Sequence, residues 1–203
     1  MAVDNVYLGN PNLKKANTEI EFTQEQILEF VACREDPVYF AKKYIKIVSL
    51  DEGLVNFDMY PFQEKLVRNF HENRFNICKM PRQTGKSTTV VSYLLHYAVF
   101  NDNVNIAILA NKASTARDLL GRLQLAYENL PKWMQQGILA WNKGSLELEM
   151  DQKYSLHLLA LVPSGVCLLM LFFWTNSRSF RIISLTSSLV LFILLSRLVN
   201  LPR

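Results

Sequence analysis

Gly85-Lys86-Ser87 stands between two apolar segments of different period, and that placement restricts this chain more than any other feature. Upstream, Phe75–Met80 has the length and composition of a short strand; downstream, Ser87–Phe100 reads as a helix. A glycine at the end of a strand lets the backbone turn tightly, so the amides that follow face one point. Lys86 brings a point charge to that place. Ser87 offers a hydroxyl to a divalent cation, and the N-terminus of the next helix adds partial positive charge. These are the parts of a phosphate cradle. The glycine expected five residues before Gly85 is replaced by Met80, so the bare pattern is incomplete. A Gly-Lys-Ser tripeptide alone is common and often marks an ordinary surface turn. One set between a strand and a helix in an alternating pattern is a specific signal.

The rest of the chain continues that alternation. Met1–Phe22 reads as an extended arm with turn signals at Gly9-Asn10-Pro11. Thr23 and Gln26 have capping-box spacing, and Asp36-Pro37 restarts a helix with Asp as N-cap. Phe62–Phe70 is expected to be a helix, Asn105–Ala110 a strand, Ser114–Asn129 a helix, and Ser145–Glu149 a strand in which leucines alternate with glutamates. Strand–helix–strand–helix order implies parallel strands joined by right-handed crossovers. The expected organisation is an arm over 1–22, one α/β domain over 23–149 and a distinct tail over 150–203.

Charge excludes an easy inference. Residues 1–150 hold 17 basic and 17 acidic residues, whereas 151–203 hold five basic residues and a single acid, Asp151. The whole net charge of +4 therefore comes from the tail, and no basic stripe argues for nucleic-acid binding. Cys33, Cys78 and Cys167 are far apart, without metal-ligand or disulfide spacing, which suggests a reducing, cytoplasmic setting. Met1–Thr18 lacks the apolar run of a signal peptide.

Upstream of the loop, Tyr60-Pro61-Phe62-Gln63 supplies a candidate adenine site: an aromatic stacks on the ring, and a glutamine amide donates and accepts at its edge. By itself such a cluster is more often core; its place just before the loop favours the site. Four segments then occur in order: Tyr60-Pro61-Phe62-Gln63, Arg82-Gln83-Thr84-Gly85-Lys86-Ser87-Thr88, Ile108-Leu109-Ala110-Asn111-Lys112 and Trp141-Asn142-Lys143-Gly144-Ser145. Together, over roughly residues 1–149, they resemble the large terminase subunit of T-even-type tailed bacteriophages. The resemblance implies an α/β fold of the P-loop NTPase (RecA/ASCE-like) type, with a parallel sheet and flanking helices, incomplete here. It implies ATP and Mg2+ as cofactors, with Gln83, Thr84, Gly85, Lys86, Ser87 and Thr88 around the phosphates and Ser87 on the metal. Lys86 and Arg82 take catalytic roles, Arg82 as a γ-phosphate sensor, and Tyr60 and Gln63 contact adenine. A loop arginine without the first glycine fits that family. The implied partners are double-stranded phage DNA, a portal protein and a small terminase subunit, with no specific membrane partner, in the host cytoplasm. Arg82 also reads as a solvated loop arginine, and Asn111-Lys112 equally as a strand-end turn.

A motor of that kind needs a second acidic motif, four apolar residues followed by Asp and Glu. The chain does not supply it: after Glu149 the only acid is Asp151, and no apolar strand precedes it. The tail instead carries the apolar stretches Leu156–Trp174 and Leu185–Leu195. Taken literally, the first approaches the length of a membrane span, interrupted by His157, Pro163 and Ser164, which leaves a membrane-anchored ATPase as a rival; a soluble appendage is a third reading. The genetic code offers another. If one base is missing near codon 150, Met150 and Asp151 overlap on a forced glycine, Phe173 and Trp174 on a forced leucine, and Trp174 and Thr175 on a forced aspartate. The neighbouring codons permit L-E-L-E-N-G-S-K-I, an Asn-Gly hairpin, and later V-I-F-L-D-E, the missing motif. On this reading residues 150–203 lie outside the fold, and the chain binds ATP without turning it over. A helicase-type ATPase fragment is the runner-up within the same class.

Overall fold

The computed structural model describes residues 5–49, 51–101, 104–110, 112–149, 156–157, 168–175 and 180–186. The N-terminal segment is a small hairpin rather than a simple extended arm. Strand β1 (Val6–Tyr7) pairs antiparallel with β2 (Asn10–Lys14), and the turn uses positive φ at Leu8 (46°) and Gly9 (77°). Leu13 is buried in the main core, and Gln135 ties the strand down. The Gln135 side chain accepts the Lys14 N–H at 3.2 Å and donates to the Asn12 and Leu130 carbonyls, each at 2.9 Å.

Helix α1 (Gln24–Glu35) opens on the expected capping box: Gln26 N–H donates to Thr23 Oγ1 at 3.2 Å, and Thr23 N–H to Gln26 Oε1 at 3.1 Å. Asp36 caps α2 (Pro37–Tyr44) by accepting the Val38 and Tyr39 amides. A second hairpin, β3 (Lys46–Ser49) and β4 (Gly53–Asn56), leads into α3 (Pro61–Glu72). Strand β5 (Phe75–Lys79), helix α4 (Lys86–Phe100), strand β6 (Val104–Ala110), helix α5 (Ala113–Glu128) and strand β8 (Ser145–Glu149) stand within a residue or two of where periodicity puts them, and β7 (Gly137–Trp141) pairs with β8. Among the described residues α4 is buried nearly all round, from Thr89 to Phe100, so its sequence lacks a polar stripe. It forms the centre of the core, with Phe40, Val67, Phe70, Leu120 and Tyr127 around it.

The sheet corrects two expectations. Short β9 (Leu156–His157) and the long strands β10 (Leu168–Thr175) and β11 (Phe180–Thr186) all join it, giving the order β5-β11-β10-β6-β9-β8-β7. Residues 150–203 are thus not wholly outside the fold, since three tail segments pair within the sheet. Nor is the sheet parallel. β11 runs parallel to β5 and β9 parallel to β6, whereas β10 is antiparallel to both β11 and β6, and β8 to both β7 and β9. The physical reason lies in β5 and β6, which run the same way but leave a gap two strands wide. Their edge amides and carbonyls need partners. The continuous apolar run of β10 suits a central strand, and its close connection to β11 makes that pair antiparallel. Ile183 of β11 is buried in the main core. No helix among the described residues is long and apolar enough to cross a membrane. Of the second apolar stretch, residues 187–195 lie outside the described residues.

Candidate functional site

The loop between β5 and α4 is built by two left-handed residues. Gly85, the residue that opens α4, has φ 71° and ψ 13°, and Gln83 has φ 62°. Glycine takes that region freely; for a glutamine it costs on the order of 1 kcal/mol, a strain that accompanies functional loops. The loop is then laced to itself. Thr84 Oγ1 donates to the Pro81 carbonyl at 3.1 Å, and Lys86 Nζ donates to the Met80 carbonyl at 3.2 Å and also to the Pro81 carbonyl. The ammonium therefore lies across the loop, satisfied by main-chain oxygens. Thr89 is buried, and its hydroxyl bonds the Gly85 carbonyl at 3.1 Å, which fixes the first turn of α4. Ser87 and Thr88 are half-buried in that turn, where the positive end of the helix is strongest. Arg82 and Gln83 are exposed at the tip, and Arg82 has no hydrogen bond or ion pair among the described residues.

The upstream aromatic segment meets this loop. Tyr60 and Phe62 stack with ring centroids 5.7 Å apart and planes within 8°, and both are open to solvent, 66% and 45% exposed. Gln63 in contrast is only 3% exposed. Its Oε1 accepts the Tyr60 N–H at 3.0 Å, and its Nε2 donates to the Thr84 carbonyl at 3.3 Å. The structure thus brings Tyr60, Gln63, Thr84 and Gly85 together and places Lys86, Ser87 and Thr88 at the head of α4. The Gln63–Thr84 bond has no signature in sequence, because it depends on how α3 is laid against the loop.

A cation, a hydroxyl and a helix N-terminus stand together at one half-buried turn, and this donor set fits a phosphate with its metal ion. Burial pushes the thiol of Cys78, just before the loop, up to about 11, which disfavours its thiolate.

The sheet edge beside the loop is set by register. Lys79 of β5 pairs with Thr186 of β11, Thr186 with Leu168 of β10, and Leu169 with Ala110 of β6. These four neighbouring strand ends carry no carboxylate. Trp174 and Thr175, where the shifted frame would code the acidic motif, pair with Asn105 and Val104 at the opposite edge, because β10 runs against β5 and β6.

No protein-family model matches the chain. Among solved structures, the crystal structure of the HK97 bacteriophage large terminase superposes with a TM-score of 0.48 at 20% identity, over 65% of this chain. The matched region covers 28% of that structure's chain, so this chain spans only a minor part of the length of the protein it is similar to.

Proposed function

We propose that this chain is the nucleotide-binding part of a DNA-packaging motor, the ATPase region of a large terminase subunit of the T-even type. The observation that carries this reading is the loop itself: a left-handed Gly85 at the head of α4, with the Lys86 ammonium poised over the same turn. Lys86 meets the β and γ phosphates of ATP, the Ser87 hydroxyl reaches Mg2+, and the amides of Thr84, Gly85 and Thr88 line the phosphates with Gln83 beside them. Arg82, exposed and unpartnered among the described residues, senses the γ-phosphate. Tyr60 stacks on the base, and Gln63, which already bonds the Tyr60 N–H and the Thr84 carbonyl, lies beside its edge. When bound, Mg2+ supplies charge neutralisation on the phosphates. The parent motor works on double-stranded phage DNA with a portal protein and a small terminase subunit.

This chain as written binds ATP without turning it over. The motor chemistry needs an aspartate for the metal and a glutamate for water, and the strand ends beside the loop carry neither. We attribute that to a tail translated one base out of frame.

The test is nucleotide binding by the purified chain with a fluorescent ATP analogue, with and without Mg2+. Saturable Mg2+-dependent binding is expected, weakened at least about tenfold by Lys86→Ala, which removes a charged hydrogen-bond donor from an exposed loop. Equal binding by the variant overturns the loop as the phosphate site. Robust hydrolysis by residues 1–203 overturns the claim that an essential motif is missing.

A further inference from the structure

Helix α1 carries an apolar face that the molecule leaves uncovered. Leu28 is 71% exposed, Ile27 51% and Val31 46%, and their i, i+1, i+4 spacing puts them on one side of the helix. Phe22, just before the cap, adds a fourth open side chain. Single exposed apolar residues are ordinary on a protein surface, whereas a continuous stripe of them marks a docking face. Acids border this stripe. Glu21, Glu25 and Glu35 are exposed and have no ion pair among the described residues, whereas Glu29 is taken by Lys43. Arg34 is the one base in the helix.

The opposite chemistry surrounds a cavity of about 350 Å3 between β3, α4 and α5. Its lining includes Lys46, Val48, Thr88, Val91, Arg122 and Leu125. That volume lies within the range of pockets that take a ligand-sized apolar group, about 300–1,000 Å3. Val48 and Leu125 are exposed, and so is Leu54, which pairs with Val48 across the hairpin. The two charged lining residues, Lys46 and Arg122, are both basic and exposed, and neither has an ion pair among the described residues. Stripe and cavity stand open in the same molecule, so the chain does not fill its own groove.

We infer that α1 of one copy docks in this cavity of a second copy. Leu28 and its neighbours enter the apolar floor, and Glu25 and Glu35 meet Lys46 and Arg122 at the rim. An amphipathic helix in an apolar groove is a recurrent mode of protein recognition. The desolvated apolar anchors supply most of the affinity, and the rim charges fix orientation and speed encounter. A second copy is the occupant because this chain itself supplies both the acidic apolar stripe and the basic apolar groove. The two faces differ, so the contact is head-to-tail, each copy offering α1 to one neighbour and its cavity to another. It sets α1 of one copy beside Thr88 and Val91 of the next, in the first turns of the helix that Lys86 opens. This association needs no bound nucleotide and stands whether or not the loop takes a phosphate.

Sedimentation velocity on the full chain tests the contact. The wild type should show a weight-average mass that climbs with concentration. Leu28→Glu puts a charge in the stripe, and Arg122→Glu reverses a rim cation; both positions are exposed, where substitutions disturb the fold least. Each variant alone should self-associate at least about tenfold more weakly than the wild type. Mixed in equal amounts, the two should recover a dimer and nothing larger, since the first keeps the cavity and the second keeps the stripe. That recovery also shows that both variants are folded. A wild type that stays monomeric at every concentration overturns the proposal, and so does a mixture that stays monomeric. Self-association of Arg122→Glu at wild-type strength, lost in Leu28→Glu, overturns it in favour of α1 pairing with α1. Undiminished self-association of both variants overturns it in favour of other surfaces.

Discussion

His96 Nε2 lies 2.9 Å from the carbonyl oxygen of Cys33, joining the middle of α4 to the last turns of α1 in the core. The ring is 1% exposed, its Nδ1 has no hydrogen-bond partner among the described residues, and the rings of His71, Tyr93 and Phe100 pack around it. Burial lowers its pKa from 6.5 to about 4, against a smaller upward pull from the Cys33 carbonyl. The folded ring therefore stays neutral where the unfolded ring takes up a proton. Between pH 6.5 and about 4 the unfolded state binds more protons, so stability falls as the pH falls through that window. The loss is on the order of 3 kcal/mol across it. Urea midpoints measured from pH 7 to 4 should fall steeply, and His96→Leu should flatten that part of the slope. An equally steep fall in the variant would assign the acid sensitivity elsewhere.

Gly85→Ala should be poorly tolerated. The φ of 71° alone costs an alanine about 1 kcal/mol, and the new Cβ meets the Gln63 amide nitrogen. Thermal melting should show a destabilisation of about 1–3 kcal/mol. Adding Gln63→Ala should recover the part due to the contact and leave the part due to φ. Full recovery in the double variant would show that backbone strain contributes nothing; no recovery would show that the contact does not.

Gln135→Leu should loosen the N-terminal hairpin. The side chain is buried and serves the Lys14 amide and the Asn12, Tyr127 and Leu130 carbonyls, so its loss removes a partner from four backbone groups at once. The cost is about 2–4 kcal/mol. The hairpin is held a second time by Glu149, whose carboxylate accepts the Asn17 N–H at 2.7 and 2.8 Å, so detachment is local. Trypsin cleavage at Lys14 and Lys15 should accelerate well before the global melt. Cleavage that rises only with global unfolding would show that Gln135 does not anchor the arm.

The parts legible in sequence were those governed by local chemistry. Thr23 with Gln26, and Asp36 before Pro37, mark helix starts through bonds made within four residues. The periodicity of β5, α4, β6 and α5 follows from which face meets the core. The parts that escaped were set by distant partners. The N-terminal hairpin reads as an arm because its anchor, Gln135, is more than a hundred residues away. The β3–β4 hairpin carries a turn signal at Asp51-Glu52-Gly53 that its short strands do not amplify. β5 and β6 follow one another through a helix, which implies parallel strands, and that order says nothing about which strands fill the space between them.

The strand that fills this space yields the last prediction. β10 lies between β11 and β6 and runs against both, so its start, Leu168, is at the edge beside the loop and its end, Thr175, at the far edge. The shifted frame forces leucine and aspartate from codons 173–175, with glutamate allowed next. On a strand running as β10 does, an acidic pair there would sit at the wrong edge, out of reach of Ser87 and Lys86. Restoring the frame therefore has to reverse the strand, so that it runs parallel to β6 and delivers its C-terminal acids to the loop. At the gene, the expected change is one adenine near codons 149–150, GAAATGGA becoming GAAAATGGA. Resequencing should show whether the longer run is present, and expression of the restored frame should give ATP hydrolysis that residues 1–203 are expected to lack. Glu→Gln at the restored glutamate should remove that hydrolysis while keeping ATP binding. A stop codon before the acidic pair, or a lysine or glutamine codon where the glutamate belongs, would sink the frame account and leave β10 as this chain's own strand.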